Sequence, residues 1–194
     1  MKIPFFNKKR NIETTFEKLT EILRKGDFNE LEKEKNNGMD FCFTDSYDGK
    51  NALEYSIQNK IYKGNDNLKL IEFLMDCGID LNHKTNKRAH EYSALHYSVL
   101  NKDLESIKNL LTLNAQIDIQ DKYGNTPLIR AVLDYRGETE LNDIIEFLID
   151  NGASLEKKNF HDISAKDHIT NIGGGIDAGH NNAVWDLRPL VKKH

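Results

Sequence analysis

Apolar residues recur along this chain at spacings of three and four, in short runs broken by polar turns. The clearest rows are Leu68, Ile71 and Leu74; Leu104, Ile107 and Leu110; and Ile145 with Leu148, where Asn142 takes the first slot. That spacing marks one face of a helix. Ahead of each row lies a shorter segment that opens on a polar residue and continues with a small or cyclic one. These openings are Asn51-Ala52-Leu53, Ser93-Ala94-Leu95 and Thr126-Pro127-Leu128, and Ser164-Ala165 starts a weaker copy. The pattern predicts helix pairs, each with an apolar side that it cannot bury alone, so successive pairs must stack.

The openings are 42, 33 and 38 residues apart. A second landmark closes each pair: Gly78-Ile-Asp-Leu-Asn82, Asn114-Ala-Gln-Ile-Asp118 and Gly152-Ala-Ser-Leu-Glu156. Gly78, Asn114 and Gly152 are expected as left-handed helix C-caps. Measured between the landmarks, the first full pair is six residues longer than the second, and the third is five longer. The surplus is expected in loops, around 61–66 and 135–140, with helix lengths unchanged. A further loop enlargement is expected after Leu81, from His83 to His90. Asp103 and Asp143 are expected near helix starts, where a carboxylate answers unpaired amide donors. Pro127 suits the first helical turn, where its missing N–H has no partner to lose.

Both ends read as caps. Residues 12–42 form an N-terminal repeat, with Phe16, Leu19 and Leu23 on one helix and Phe28 and Leu31 on a second beginning at Asp27. Phe41 aligns with Leu81. Repeats follow at 46–87, 88–120 and 121–158, and a partial one at 159–172, giving a single domain over 1–172. The Gly173-Gly174-Gly175 run disfavours helix and opens a tail, 173–194. Its Trp185 is expected either to fold back over the end of the stack or to serve as a short linear motif.

Thr126-Pro-Leu-Ile-Arg-Ala131, with Gly124 before it and Asn151-Gly-Ala153 after it, resembles the consensus of ankyrin repeats, whose period is about 33. Ser93-Ala-Leu-His-Tyr-Ser98 keeps the histidine of that consensus at His96, and the resemblance implies a structural rather than catalytic role for it. Glu54, Ile129 and Asp167 replace it elsewhere, and those loops are expected to be less rigid. The resemblance implies an all-α solenoid of about four to five helix-turn-helix repeats with short β-turn or hairpin loops and irregular caps. It also implies a non-catalytic module that binds another protein through its concave face. The matching positions are Tyr47, Asp48, Lys50, Gln58 and Asn59, then His90, Tyr92, Leu100 and Asn101, then Lys122, Tyr123, Asn125 and Asp134. The insertions add Tyr62, Tyr135 and Arg136. Tyr92 and Tyr123 are expected either as interface anchors or as braces between neighbouring turns.

Composition narrows the picture further. With 27 Lys plus Arg against 31 Asp plus Glu, the formal charge is −4, which argues against an extended nucleic-acid surface. Cys42 and Cys77 lack CxxC spacing and fit a reducing compartment. No run of eighteen apolar residues occurs, and the basic start has no apolar core of a leader, so a soluble, cytoplasmic, monomeric protein is expected. Neither a cofactor nor a small-molecule substrate is expected, because no Walker loop, HExxH helix, nucleophile elbow or dinucleotide fingerprint is present. His161, His168 and His180, with Asp162 or Asp167, leave open a small metal-dependent enzyme. A composition rich in Asn, Lys and Ile points to an AT-rich bacterial genome. Stand-alone bacterial proteins of this family include immunity proteins, so a basic toxin domain is the specific partner expected. A host-directed effector and an assembly or chaperone-like scaffold are the alternatives.

Overall fold

The computed structural model describes residues 6–171 and 187–193, which divide into two compact units with the boundary between Ala94 and Leu95. Among the described residues the regular structure is helical, apart from an isolated antiparallel bridge between Lys158 and Ser164. No helix among them is long and apolar enough to cross a membrane.

The first unit contains α1 (Phe6–Lys25), α2 (Phe28–Asn36), α3 (Ala52–Gln58), α4 (Asn65–Asp76) and a 3₁₀ turn at Lys87–Ala89. Asp27 caps α2 by accepting a 2.9 Å hydrogen bond from the Asn29 amide, which stops α1 and starts its partner within two residues. α1 packs against both α2 and α3, and α3 against α4. Leu19, Leu23, Leu31, Phe41, Leu53, Leu70, Ile71 and Leu74 form the core. Three edge-on aromatic pairs join the first helix pair to the second: Phe16–Tyr55, Phe28–Tyr62 and Phe41–Phe73, with centroids 6.0, 5.3 and 5.3 Å apart.

The second unit begins in the first turn of α5 (Ala94–Leu100) and continues through α6 (Leu104–Thr112), α7 (Pro127–Asp134), α8 (Thr139–Asp150), α9 (Ala165–Asn171) and α10 (Arg188–Lys193). α7 packs on α8 and α9, α6 on α8, and α10 on α9. The seam is aliphatic: Ile107 and Leu110 with Leu141, Ile144, Ile145 and Leu148, all buried. Each such side chain contributes about 1.5–3 kcal/mol through burial. Leu187 is buried at the head of α10, and Lys193 reaches Asp150 and Glu146 at 3.6 and 3.8 Å. This part of the tail does fold onto the last repeat. Trp185 and the 173–175 glycines lie outside the described residues, as does His180.

The expected C-caps hold, with φ of +95° at Gly78, +66° at Asn114 and +90° at Gly152. Asp103 caps α6, accepting from the Ser106 amide at 3.1 Å, and Pro127 sits in the first turn of α7.

Three expectations are corrected. The surplus residues are shared between loop and helix: α4 and α8 each run twelve residues against nine in α6, and the α3–α4 loop is 59–64 against 101–103 in the second pair. Three added helical residues satisfy their own backbone groups, whereas the same residues in a loop would each need outside partners. Asp143 consequently falls in the second turn of α8, not at its start. The first slot of each row is also only half-buried, at Leu68, Leu104 and Asn142, while the other members, Ile71, Leu74, Ile107, Leu110, Ile145 and Leu148, are buried and Leu70, Ser106 and Leu141 face inward beside them.

Candidate functional site

Four turns precede the short helices, and they share one hydrogen-bond scheme. The amides of Asp45, Thr85, Asp121 and Asn159 donate across the turn to the carbonyls of Lys50, Tyr92, Asn125 and Ile163, at 2.7, 2.9, 3.0 and 2.9 Å. At three of them the opening side chain also organises the loop. Asp45 Oδ1 accepts from the Tyr47 and Asp48 amides, Asp121 Oδ1 from Tyr123 and Asn125, and Asn159 Oδ1 from His161 and Ile163. Short polar side chains do this well because they mimic the next backbone carbonyl.

Within each unit the main chain binds neighbouring turns together. In the first, the Asn86 amide donates to Asp48 O and its side-chain amide to Tyr47 O, both at 2.8 Å. In the second, the Phe160 amide donates to Tyr123 O at 3.0 Å, and the Gln120 side-chain amide bridges Gly124 O and Lys158 O. Gly124 is required by this approach, since a Cβ there would lie 2.6 Å from the Phe160 nitrogen.

The third residue of each short helix decides how the turn is anchored. His96 is fully buried, with Nε2 3.1 Å from Asn125 O. That contact ties α5 to the next turn and agrees with the structural role the resemblance implied. Glu54 and Asp167 at the equivalent positions anchor their own helix starts instead. Each forms a reciprocal capping arrangement, Asn51 with Glu54 and Ser164 with Asp167, in which side chain and amide exchange hydrogen bonds. The spacing Asn-x-x-Glu signals this directly. Glu54 is also 2.9 Å from His83 Nδ1. Burial pushes the Glu54 carboxyl up, against the pull of His83, and the Glu54 hydrogen bond raises His83 against its own burial.

The expected partner-facing residues divide sharply by exposure. Tyr47 projects from its turn, 69% exposed, with the Arg88 guanidinium 5.4 Å from its ring centre. Tyr123 is 40% exposed, with the Lys122 ammonium 4.9 Å from its ring. Leu100, Asn101 and Asp134 are half-buried, and Asp134 is held by a two-pronged Arg130 contact at 3.0 and 3.1 Å. Arg136 is exposed but turns its guanidinium back onto the Leu133 and Tyr135 carbonyls.

Tyr62, Tyr92, Asn125 and Tyr135 are buried, which corrects the expectation that they project to solvent. Tyr92 lies beside the half-buried His90, ring centres 5.2 Å apart, and is the brace rather than the exposed anchor. Tyr62 packs on Phe28; burial, with Asp27 and Asp66 nearby, pushes its hydroxyl up to about 12, and that hydroxyl has no hydrogen-bond partner among the described residues. Phe160 and Ile163, 72% and 37% exposed, were not expected. Asn159-Phe-His-Asp-Ile-Ser164 aligns on Asp121-Lys-Tyr-Gly-Asn-Thr126 by the 38-residue spacing, which is the signal that would have placed them on a tip.

The first unit also contains a cavity of ≈ 420 Å³ lined by Phe16, Asp45, Asp48, Lys50, Tyr55, Gln58 and Asn59. Four of these, Asp48, Lys50, Gln58 and Asn59, are among the expected contact positions. Lys50 Nζ pairs with Asp48, and Asn59 Nδ2 donates to Tyr55 O at 2.8 Å.

Among the described residues no group of three or more His, Cys, Asp or Glu side chains is placed to hold a metal ion. His161 is exposed, and both ring nitrogens of His168 are buried without a partner among the described residues.

This architecture of helix pairs, joined through hydrogen-bonded turns and capped by left-handed residues, defines a repeat protein. Residues 61–159 match the family model for ankyrin repeats (3 copies), and the chain belongs to the ankyrin-repeat family. No curated protein matches it.

Proposed function

We propose that this chain is a non-catalytic module that binds a protein partner through the tips of its turns. The observation that carries this reading is the set of large side chains that stand out from those tips: Tyr47 in the first unit, and Tyr123, Phe160 and Ile163 in the second. Aromatic side chains combine large apolar area with little rotamer entropy, which suits them to interface centres. The turns beneath them are held by their own hydrogen bonds, so a partner meets a preformed surface and little ordering cost accompanies binding.

Within that reading, the partner class we favour is a basic toxin domain, silenced by occlusion as immunity proteins do. The formal charge of −4 supports this choice through complementarity with a cationic surface. The product of an adjacent gene is the partner to test first, purified and titrated against the chain by calorimetry. A Tyr123→Ala/Phe160→Ala variant is expected to weaken that complex by about 2 kcal/mol per side chain with an unchanged thermal melt. Full affinity in the variant would remove the tips from the interface. Co-expression is expected to restore growth to cells poisoned by the partner. Binding without rescue would instead favour an effector or scaffold.

A further inference from the structure

One turn of the first unit is enlarged. The turn closed by Thr85 and Tyr92 spans 85–92, against 121–125 and 159–163 in the second unit. The enlargement folds as the 3₁₀ turn Lys87–Ala89, capped at its start by Asn86 Oδ1, which accepts from the Arg88 amide at 2.9 Å. It ends on two consecutive left-handed residues, His90 at φ +68° and Glu91 at φ +55°. L side chains resist that conformation, and it persists only where the surroundings enforce it. Thr85 Oγ1 does so by donating to Ala89 O and Tyr92 O at 3.0 and 3.2 Å, and Asn86 donates to Tyr47 O and Asp48 O. Enforced strain of this kind clusters at sites that hold a ligand.

The enlarged turn carries positive charge outward. Lys84, Lys87 and Arg88 are exposed. The carboxylates beside them, Asp45, Asp48 and Glu91, are half-buried and each is engaged: Asp45 by the Tyr47 and Asp48 amides, Asp48 by Lys50, and Glu91 by Lys84 at 3.4 Å. The Arg88 guanidinium lies 5.4 Å from the ring centre of Tyr47, the most exposed tyrosine of these turns at 69%. A guanidinium held against a ring keeps its in-plane N–H fork for a planar anion. The last turn of the second unit lacks this bias, since Lys158 pairs there with the exposed Asp162.

We infer that this tip receives a carboxylate side chain of the protein partner, held in the Arg88 fork with its stem on Tyr47. The assignment rests on the interaction reading above and gives the chemistry of one contact within it. A partner that is cationic over most of its surface is drawn by the formal charge of −4. An acidic side chain opposite Arg88 then fixes the orientation in which it docks.

The test uses the full chain, labelled with ¹⁵N and titrated at low salt with N-acetyl-hexaglutamate amide, its neutral isostere N-acetyl-hexaglutamine amide, and a thymidylate dodecamer. Hexaglutamate is expected to shift the Tyr47, Asn86 and Arg88 amide resonances saturably, and hexaglutamine to leave them in place. Arg88→Gln is expected to weaken hexaglutamate about fivefold, the upper range for an exposed ion pair. Lys63→Gln removes the same charge from an exposed position before α4 and is expected to leave binding unchanged. Equal shifts with hexaglutamine, equal effects of the two variants, or shifts confined to other residues would each overturn the assignment. Tighter binding of thymidylate at these amides would overturn it by making the tip a nucleic-acid contact. The Tyr123→Ala/Phe160→Ala variant of the other unit judges the interaction reading separately. A partner complex weakened by that variant but untouched by Arg88→Gln removes the carboxylate assignment and leaves the reading standing. A complex untouched by both removes the two together.

Discussion

Replacing Gly124 with alanine tests how closely the turns of the second unit are joined. Gly124 has φ +77°, and an added Cβ would stand 2.6 Å from the Phe160 nitrogen and 2.7 Å from its ring Cδ1. A left-handed backbone costs an L side chain about 1–2 kcal/mol. Relieving the contact requires the two turns to part, which sacrifices the Phe160 to Tyr123 hydrogen bond and strains the Gln120 bridge. Those are about 1 kcal/mol each at most, so the substitution is expected to destabilise the second unit by about 3 kcal/mol. Gly152→Ala is the control, because Gly152 has φ +90° and nothing within 4 Å of where its Cβ would lie; it carries only the backbone cost. Urea unfolding compares the two variants, and hydrogen exchange at the Phe160 amide reports the lost bond directly. Equal destabilisation by both substitutions, or a Phe160 amide as protected as in the parent chain, would refute the reasoning.

Two further outcomes follow from the first unit. The folded state raises both Glu54 and His83, so each favours the fold most at low pH. The His83 contribution is complete below its unfolded value of 6.5 and is lost as pH rises through its higher folded value. Thermal stability is therefore expected to fall as pH rises above 6.5, and His83→Gln is expected to flatten that decline; an unaltered profile in the variant would exclude His83 as its source. Tyr62→Phe removes a buried hydroxyl that lacks a partner, and is expected to stabilise the chain by about 1 kcal/mol in urea, with a loss of stability counting against the packing of Tyr62 on Phe28.

The repeat register was legible because it rests on local chemistry. Left-handed caps at Gly78, Asn114 and Gly152, a proline at the start of α7 and a carboxylate at the start of α6 are each dictated by a few neighbouring residues. The division of the surplus residues was not legible, since the distance between landmarks is the same whether three residues extend α4 or lengthen the loop before it. Exposure was the least legible property. Tyr92 and Tyr123 both lie in turns, yet only Tyr123 reaches solvent, because Tyr92 stands directly before the helix cap, in the register of the buried Asn125, while Tyr123 stands at the tip. Comparison with the consensus alone shows the exchange of His96 for Glu54 only as a lost histidine contact. The pair Asn51 and Glu54 supplies a capping arrangement of its own, which a reading of helix starts would have caught.

The main-chain bonds between turns separate what these loops display from what keeps them in place. Asn86 reaches Asp48 through backbone atoms, and Phe160 reaches Tyr123 in the same way. Side chains at positions such as 47, 123 and 160 can therefore be exchanged with little penalty to the framework that presents them. Such a protein can follow a changing target by surface substitution, while its helices, caps and glycines stay as they are.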